Sequence, residues 1–135
     1  MTVQLRPYLM MEGNARKAIQ FYEKVLGAEI LGIQTYGEMA IPCPDAYKEY
    51  VANATLKVGD IDLTFSDSPG MPVQVGNQIM ISLTVENAGK AKHIFEALQE
   101  DGQVNSPLEA TPFSPAFGNV TDQFGNTFQI VAENH

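Results

Sequence analysis

The chain of 135 residues is short of cysteine, of histidine and of positive charge, and each shortage removes a class of function. A single cysteine, Cys43, excludes an internal disulfide and any zinc site built from several thiolates. Eight Lys and Arg against 16 Asp and Glu leave a formal charge of −8, which repels phosphate backbones and anionic lipid. Nucleic acid and membrane surfaces are therefore not expected partners. No apolar run reaches the length of a membrane span, and the opening "MTVQLRPYLMMEGN" lacks the basic-then-apolar order of a signal peptide. The expected location is the cytoplasm. No glycine-rich phosphate loop or nucleotide fingerprint is present, and no cofactor is expected.

What the sequence does have is an echo. The helix-like stretch "GNARKAIQFYEKVLGAE" returns as "ENAGKAKHIFEALQEDG", and aligning Asn14 with Asn87 gives an offset of 87 − 14 = 73. Ala15, Lys17, Ala18 and Glu23 then meet Ala88, Lys90, Ala91 and Glu96. In the first copy Asn14 reads as the N-cap, Ala18, Ile19, Tyr22, Val25 and Leu26 recur at helical spacing, and Gly27 ends the helix. Asn87 caps the second helix, and Gly102 stands just past its end.

The flanking segments repeat too. Val3 to Met11 reads as a strand before helix one, followed by "AEILGIQTY", a loop, and two strands turning at Gly59-Asp60. In the second half "QIMISLTVEN" precedes the helix, and two strands surround a turn from Asp122 to Asn126. Between helix and turn, "QVNSPLEATPF" is broken by Pro107 and Pro112, so a short irregular strand is expected. The reading is a single α+β domain of two tandem β-α-β-β-β modules, about 1–68 and 78–135, with a connector at about 69–77.

That duplicated pattern resembles the vicinal oxygen chelate superfamily, which includes glyoxalase I, ring-cleaving dioxygenases and bleomycin resistance proteins. "PYLMMEGNARKAIQFYEKVLGAE", "YGEM", "DLTFSDSPG" and "GNVTDQFGNTFQI" are similar, in that order, to its PhnB-like branch. The resemblance implies the glyoxalase/bleomycin resistance fold, a curved mixed sheet enclosing a cleft, and a homodimer. In metal-dependent members a His or Gln on the first strand of each module and a Glu on the last hold a divalent ion. Mapped through the helix starts, those positions fall on Pro7, Met80, Asp62 and Gln129, too few donors for tight binding, so no metal is expected. Neither histidine restores the site: His93 lies mid-helix and His135 is the last residue. Asn53 stands where PhnB-like proteins often carry a His before an Ala, which removes the most plausible general base.

Other candidates follow from motif and alternation. Glu38, in "YGEM", is either a solvated turn carboxylate or a pocket residue. Cys43 sits between two prolines beside Asp45 with no base to activate it. Ser66-Asp67-Ser68 is read as shaping a turn. Inward-pointing Asp62 and Gln129 put Phe65 and Phe128, at odd offsets, on the helix side as core. Tyr8, Phe113 and Phe117 are expected to face the cleft, Phe113 standing where relatives often have Trp. The set Tyr8, Glu38, Asn53, Asp62, Phe113, Phe117 and Gln129 is thus the expected ligand site, for a small apolar or aromatic molecule. A lyase, isomerase or dioxygenase of the same fold stands as the alternative, and a ligand-free partner protein as a third reading.

Overall fold

The computed structural model describes residues 3–40 and 42–134. Its elements run β1 (Tyr8–Met11), α1 (Ala15–Leu26), β2 (Glu29–Thr35), a 3-10 turn (Asp45–Tyr47), β3 (Val51–Val58) and β4 (Ile61–Asp67). Then follow β5 (Ile81–Val85), α2 (Ala88–Gln99), β6 (Gln103–Thr111), β7 (Ser114–Thr121) and β8 (Thr127–Ala132). Both halves are β-α-β-β-β. The chain divides into one unit ending at Val73 and a second beginning at Gln74, a boundary inside the expected connector. His135, weighed above as a metal ligand, lies outside the described residues.

Each unit is a four-stranded mixed sheet with its helix on one face. The strand orders are β1-β4-β3-β2 and β5-β8-β7-β6, with β1 parallel to β4, β5 parallel to β8, and the remaining pairs antiparallel. α1 buries Ala15, Ala18, Ile19 and Tyr22, and Tyr22 stacks on Phe65 of β4 with ring centroids 5.8 Å apart. α2 buries Ala91, Ile94, Phe95 and Leu98. Period-2 alternation in the strands and 3.6-residue periodicity in the helices meet here: Leu56, Leu63 and Phe65 in one unit, and Val120, Phe128 and Ile130 in the other, are buried core positions. Phe65 and Phe128 are core residues, as alternation requires.

The two helix starts are built differently. Asn87 Oδ1 accepts from the Lys90 amide at 2.8 Å, the ordinary N-cap bond. Asn14 makes no such bond. Its role falls to Asp67, at the end of β4, whose Oδ1 accepts from the Gly13 and Ala15 amides at 2.8 and 2.9 Å while Oδ2 accepts from the Val51 amide at 2.9 Å. Asp67 is only 1% exposed, so the Ser66-Asp67-Ser68 stretch anchors a helix and a strand rather than shaping a turn.

Two further expectations need correction. β1 begins at Tyr8, not Val3, because pairing with β4 begins at Tyr8↔Thr64. β6 runs nine residues despite Pro107: it is the edge strand, paired only with β7, and its register slips between Ser106 and Glu109, where a missing donor is tolerated. Gly102 stands just past the end of α2, as expected: the helix stops at Gln99 and its C-cap, Glu100, is extended. Glycine is required at 102 by proximity. An added Cβ would run into the Thr121 carbonyl oxygen and lie 3.0 Å from Asp122 Cα and 3.1 Å from the Leu98 oxygen, all backbone atoms that cannot rotate aside. Gly102→Ala is expected to destabilise the protein by about 1–3 kcal/mol, read as a lower midpoint in urea at unchanged slope.

Candidate functional site

The face of each sheet opposite its helix is where polar and aromatic side chains collect. In the first unit, parallel register sets Tyr8 beside Thr64 and Met10 beside Ser66, and antiparallel register sets Thr55 beside Thr64 and Lys57 beside Asp62. Tyr8, 49% exposed, lies on this open face, away from Phe65. Asn53 and Asp62 line a shallow depression of about 430 Å³ together with Leu31, Gly32, Gln34 and Thr55. Asp62 is partly covered, and Arg6 Nη2 lies 3.8 Å from its Oδ2.

In the second unit, alternation on β7 puts Ala116 and Val120 on the α2 side and Phe117 and Asn119 on the other. The Phe113 ring, on the β6–β7 turn and 60% exposed, meets Phe117 edge-to-face at 5.1 Å and 80°. Gln129 donates from Nε2 to Ser82 Oγ at 3.1 Å. Asn119 donates to Met80 Sδ at 3.4 Å, and Asn105 donates to Asn119 Oδ1 at 2.8 Å and Thr121 Oγ1 at 3.0 Å. Sequence reasoning missed Ser82, Asn105 and Asn119. Counting by twos from Phe117 reaches Asn119, whereas Asn105 was hidden in a segment marked irregular by its prolines.

Glu38 belongs to neither face. It folds back on the end of β2, where its Oε1 accepts from the Thr35 amide at 3.1 Å and the Thr35 hydroxyl at 2.9 Å. The amide bond first, then the hydroxyl bond, and last the Arg16 charge hold its carboxyl below the ordinary 4.5, against a smaller opposing effect of desolvation. A lowered folded value means the stabilisation is complete above about pH 4.5 and disappears as pH falls through the depressed folded pKa. Glu38→Gln is thus expected to melt below the parent at pH 7, with the gap narrowing as pH falls through the depressed folded pKa. Paired thermal melts over a descending pH series test this; a gap that does not narrow as the pH falls counts against it.

The ligand mapping for a metal changes once the strands are paired. The last residues of the first strands, Met11 and Val85, sit beside Asp67 and Ala132 and are offset by 85 − 11 = 74, one more than the helices. Gly13, with φ of +97°, is the extra residue in the first unit. Pro7 and Met80 are therefore not equivalent, and the residues set beside the last strands are Tyr8, next to Thr64, and Ser82, next to Gln129. The Pro7 carbonyl is already taken by the Thr64 amide and hydroxyl at 3.1 and 2.6 Å. A phenol, hydroxyls, an amide and one ion-paired carboxylate do not fit a divalent ion. Among the described residues no three His, Cys, Asp or Glu side chains are grouped to hold one.

Cys43 is half-buried. His93 is exposed on α2. No described helix is long and apolar enough to cross a membrane.

Comparison with known proteins places this geometry. The profile of the family described as 3-demethylubiquinone-9 3-methyltransferase matches residues 3–131. Protein PA1353 from Pseudomonas aeruginosa is 33% identical and superposes with a TM-score of 0.88 over 99% of this chain and 100% of that one. A putative 3-demethylubiquinone-9 3-methyltransferase, PhnB protein, from Bacillus cereus is 26% identical, with a TM-score of 0.83 over 96% and 99%. Protein YjdN of Escherichia coli K12 is 29% identical over 93% of this chain and 92% of its own. A glyoxylase/bleomycin resistance protein/dioxygenase domain from Frankia shares the fold at 12% identity, with a TM-score of 0.69 over 100% of this chain and 94% of that domain.

Proposed function

The chain belongs to the PhnB-like family described as 3-demethylubiquinone-9 3-methyltransferase, within the vicinal oxygen chelate superfamily, and from that premise we propose that it binds a small apolar or aromatic molecule without a metal. The observation that carries the reading is the Phe113–Phe117 pair. Its outer ring is exposed beside an open sheet face, where an aromatic ligand gains an edge or stacking contact beyond simple burial. The methyltransferase description has no counterpart in this sequence, which carries no cofactor motif for methyl transfer. In the first unit Tyr8, Asn53 and Asp62 form a second, more polar candidate surface.

Naphthalene, an aromatic probe with no polar group, tests the reading. In an NMR titration, amide shifts are expected to concentrate at Phe113, Phe117 and the neighbouring strands. Shifts scattered over the surface, or none at saturation of the probe, would refute it. Elemental analysis is expected to find no stoichiometric zinc, nickel, manganese or iron, and about one such ion per chain would overturn the metal-free part.

We also assign the protein to the cytoplasm as a homodimer. Leu31 on edge strand β2 and Val104 on edge strand β6 are exposed, and edge strands with exposed apolar residues are commonly covered in assemblies. Light scattering should give twice the 14.8 kDa chain mass at micromolar concentration; a mass of one chain counts decisively against the dimer.

A further inference from the structure

Resting on the reading just given, we infer that the open face of the second sheet selects an uncharged aromatic compound bearing a carbonyl or hydroxyl on its edge. The evidence is a row of neutral polar groups, one from each strand. Ser82 is set beside Gln129, Gln129 beside Asn119, and Asn105 reaches Asn119 by its side chain, so the row crosses β5, β8, β7 and β6 in turn. Phe117 is two residues before Asn119 on the same strand face, which sets the aromatic pair at one end of the row.

Charge is what this surface lacks. The four strands together contain one ionisable residue, Glu109, in a chain with 16 Asp and Glu. Register sets Glu109 opposite Phe117, and Glu109 also lines the hollow beside α2 with Lys92 and Glu96, so it brings no positive charge to the row. No cationic side chain on these strands would neutralise an anion. A cation would have to leave water for a row of amides and hydroxyls, which cannot offset the desolvation of a full charge. Amides instead offer a donor and an acceptor each, the complement of a carbonyl or hydroxyl. Gln129 uses one Nε2 hydrogen on Ser82, which orients the amide and leaves its second Nε2 hydrogen to donate to a ligand carbonyl and its oxygen to accept from a hydroxyl, and Asn119 is held between Asn105 and Met80. The row is thus ordered before a ligand arrives, and preorganised groups lose less entropy on binding.

Four probes with one ring system separate the possibilities: naphthalene, 2-acetylnaphthalene, 2-naphthoate and 2-naphthylmethylammonium, each titrated into the full chain by calorimetry or NMR. The ketone is expected to bind at least about tenfold tighter than any of the other three, the ratio that one well-made hydrogen bond supplies. Gln129→Leu should abolish the ketone's advantage, so that the ketone and naphthalene bind this variant with the same affinity. Ser82→Ala, at an exposed position that does not threaten folding, should do the same in part by freeing Gln129. A ketone no tighter than naphthalene overturns this inference and leaves the aromatic reading intact. Tighter binding of either charged probe also overturns it. Failure of all four to bind removes the inference and the proposed function together.

Discussion

Asp67→Ala is expected to destabilise the protein by about 4–6 kcal/mol, the largest effect of any single substitution considered. The carboxylate accepts from three backbone amides, those of Gly13, Ala15 and Val51, in a position 1% exposed. Bonds from amides to an ionised acceptor are stronger than neutral ones, and removing the acceptor leaves donors in a setting that water reaches poorly. Alanine would strip the start of α1 and the start of β3 at once, because the two oxygens tie them together. Asparagine should recover only part of the loss: its carbonyl oxygen can replace one carboxylate oxygen, but its amide group then presents donors to a donor. The contrasting substitution is Asn87→Ala, which removes one exposed cap bond at the start of α2 and should cost about 1 kcal/mol. Urea denaturation of the three variants measures the series, and hydrogen exchange at the Val51 amide reports the local consequence. An Asp67→Ala variant within 1 kcal/mol of the parent would show that the helix start can be satisfied another way.

The second large effect separates two phenylalanines. Phe128 is 0% exposed on the α2 side of β8, and its truncation is expected to cost about 3–5 kcal/mol through lost burial and an unfilled cavity. Phe113, 60% exposed, should leave stability within about 1 kcal/mol when truncated, since little surface is returned to water. Binding should respond in the opposite order. Phe113→Ala removes one ring of the edge-to-face pair and should weaken naphthalene several-fold, an aromatic contact being worth about 0.5–1.5 kcal/mol beyond area. Thermal melts and probe titrations on both variants give a two-by-two result. If Phe113→Ala melts as early as Phe128→Ala, or binds the probe as well as the parent, the assignment of Phe113 to ligand contact fails.

The same residues show how far a sequence carries. The order of strands and helices was legible because the signals that set it are local: apolar spacing along α1 and α2, Gly27 at a left-handed φ of 63°, and the turn at Asp122 to Asn126, where Asp122 Oδ1 accepts from the Phe124 and Asn126 amides. Strand alternation was enough to send Phe65 and Phe128 to the core and Asp62 and Gln129 to the other face, since a side chain's face is fixed by parity within its own strand. Asp67 was out of reach. Its partner Ala15 is 52 residues away in the chain, and nothing near either residue announces the bond. Gly13 adds one residue to the first unit, so a helix alignment carried back into the strands lands on the wrong face, and only the pairing of β1 with β4 and β5 with β8 corrects it. Nor could local reading find the row from Ser82 to Asn105, whose members come from four strands in the spatial order β5-β8-β7-β6. Periodicity and capping depend on neighbours in sequence and were determined there; the Asp67 anchor, the Glu38 turn and the uncharged polar row depend on register between distant segments, which exists only once the strands have paired.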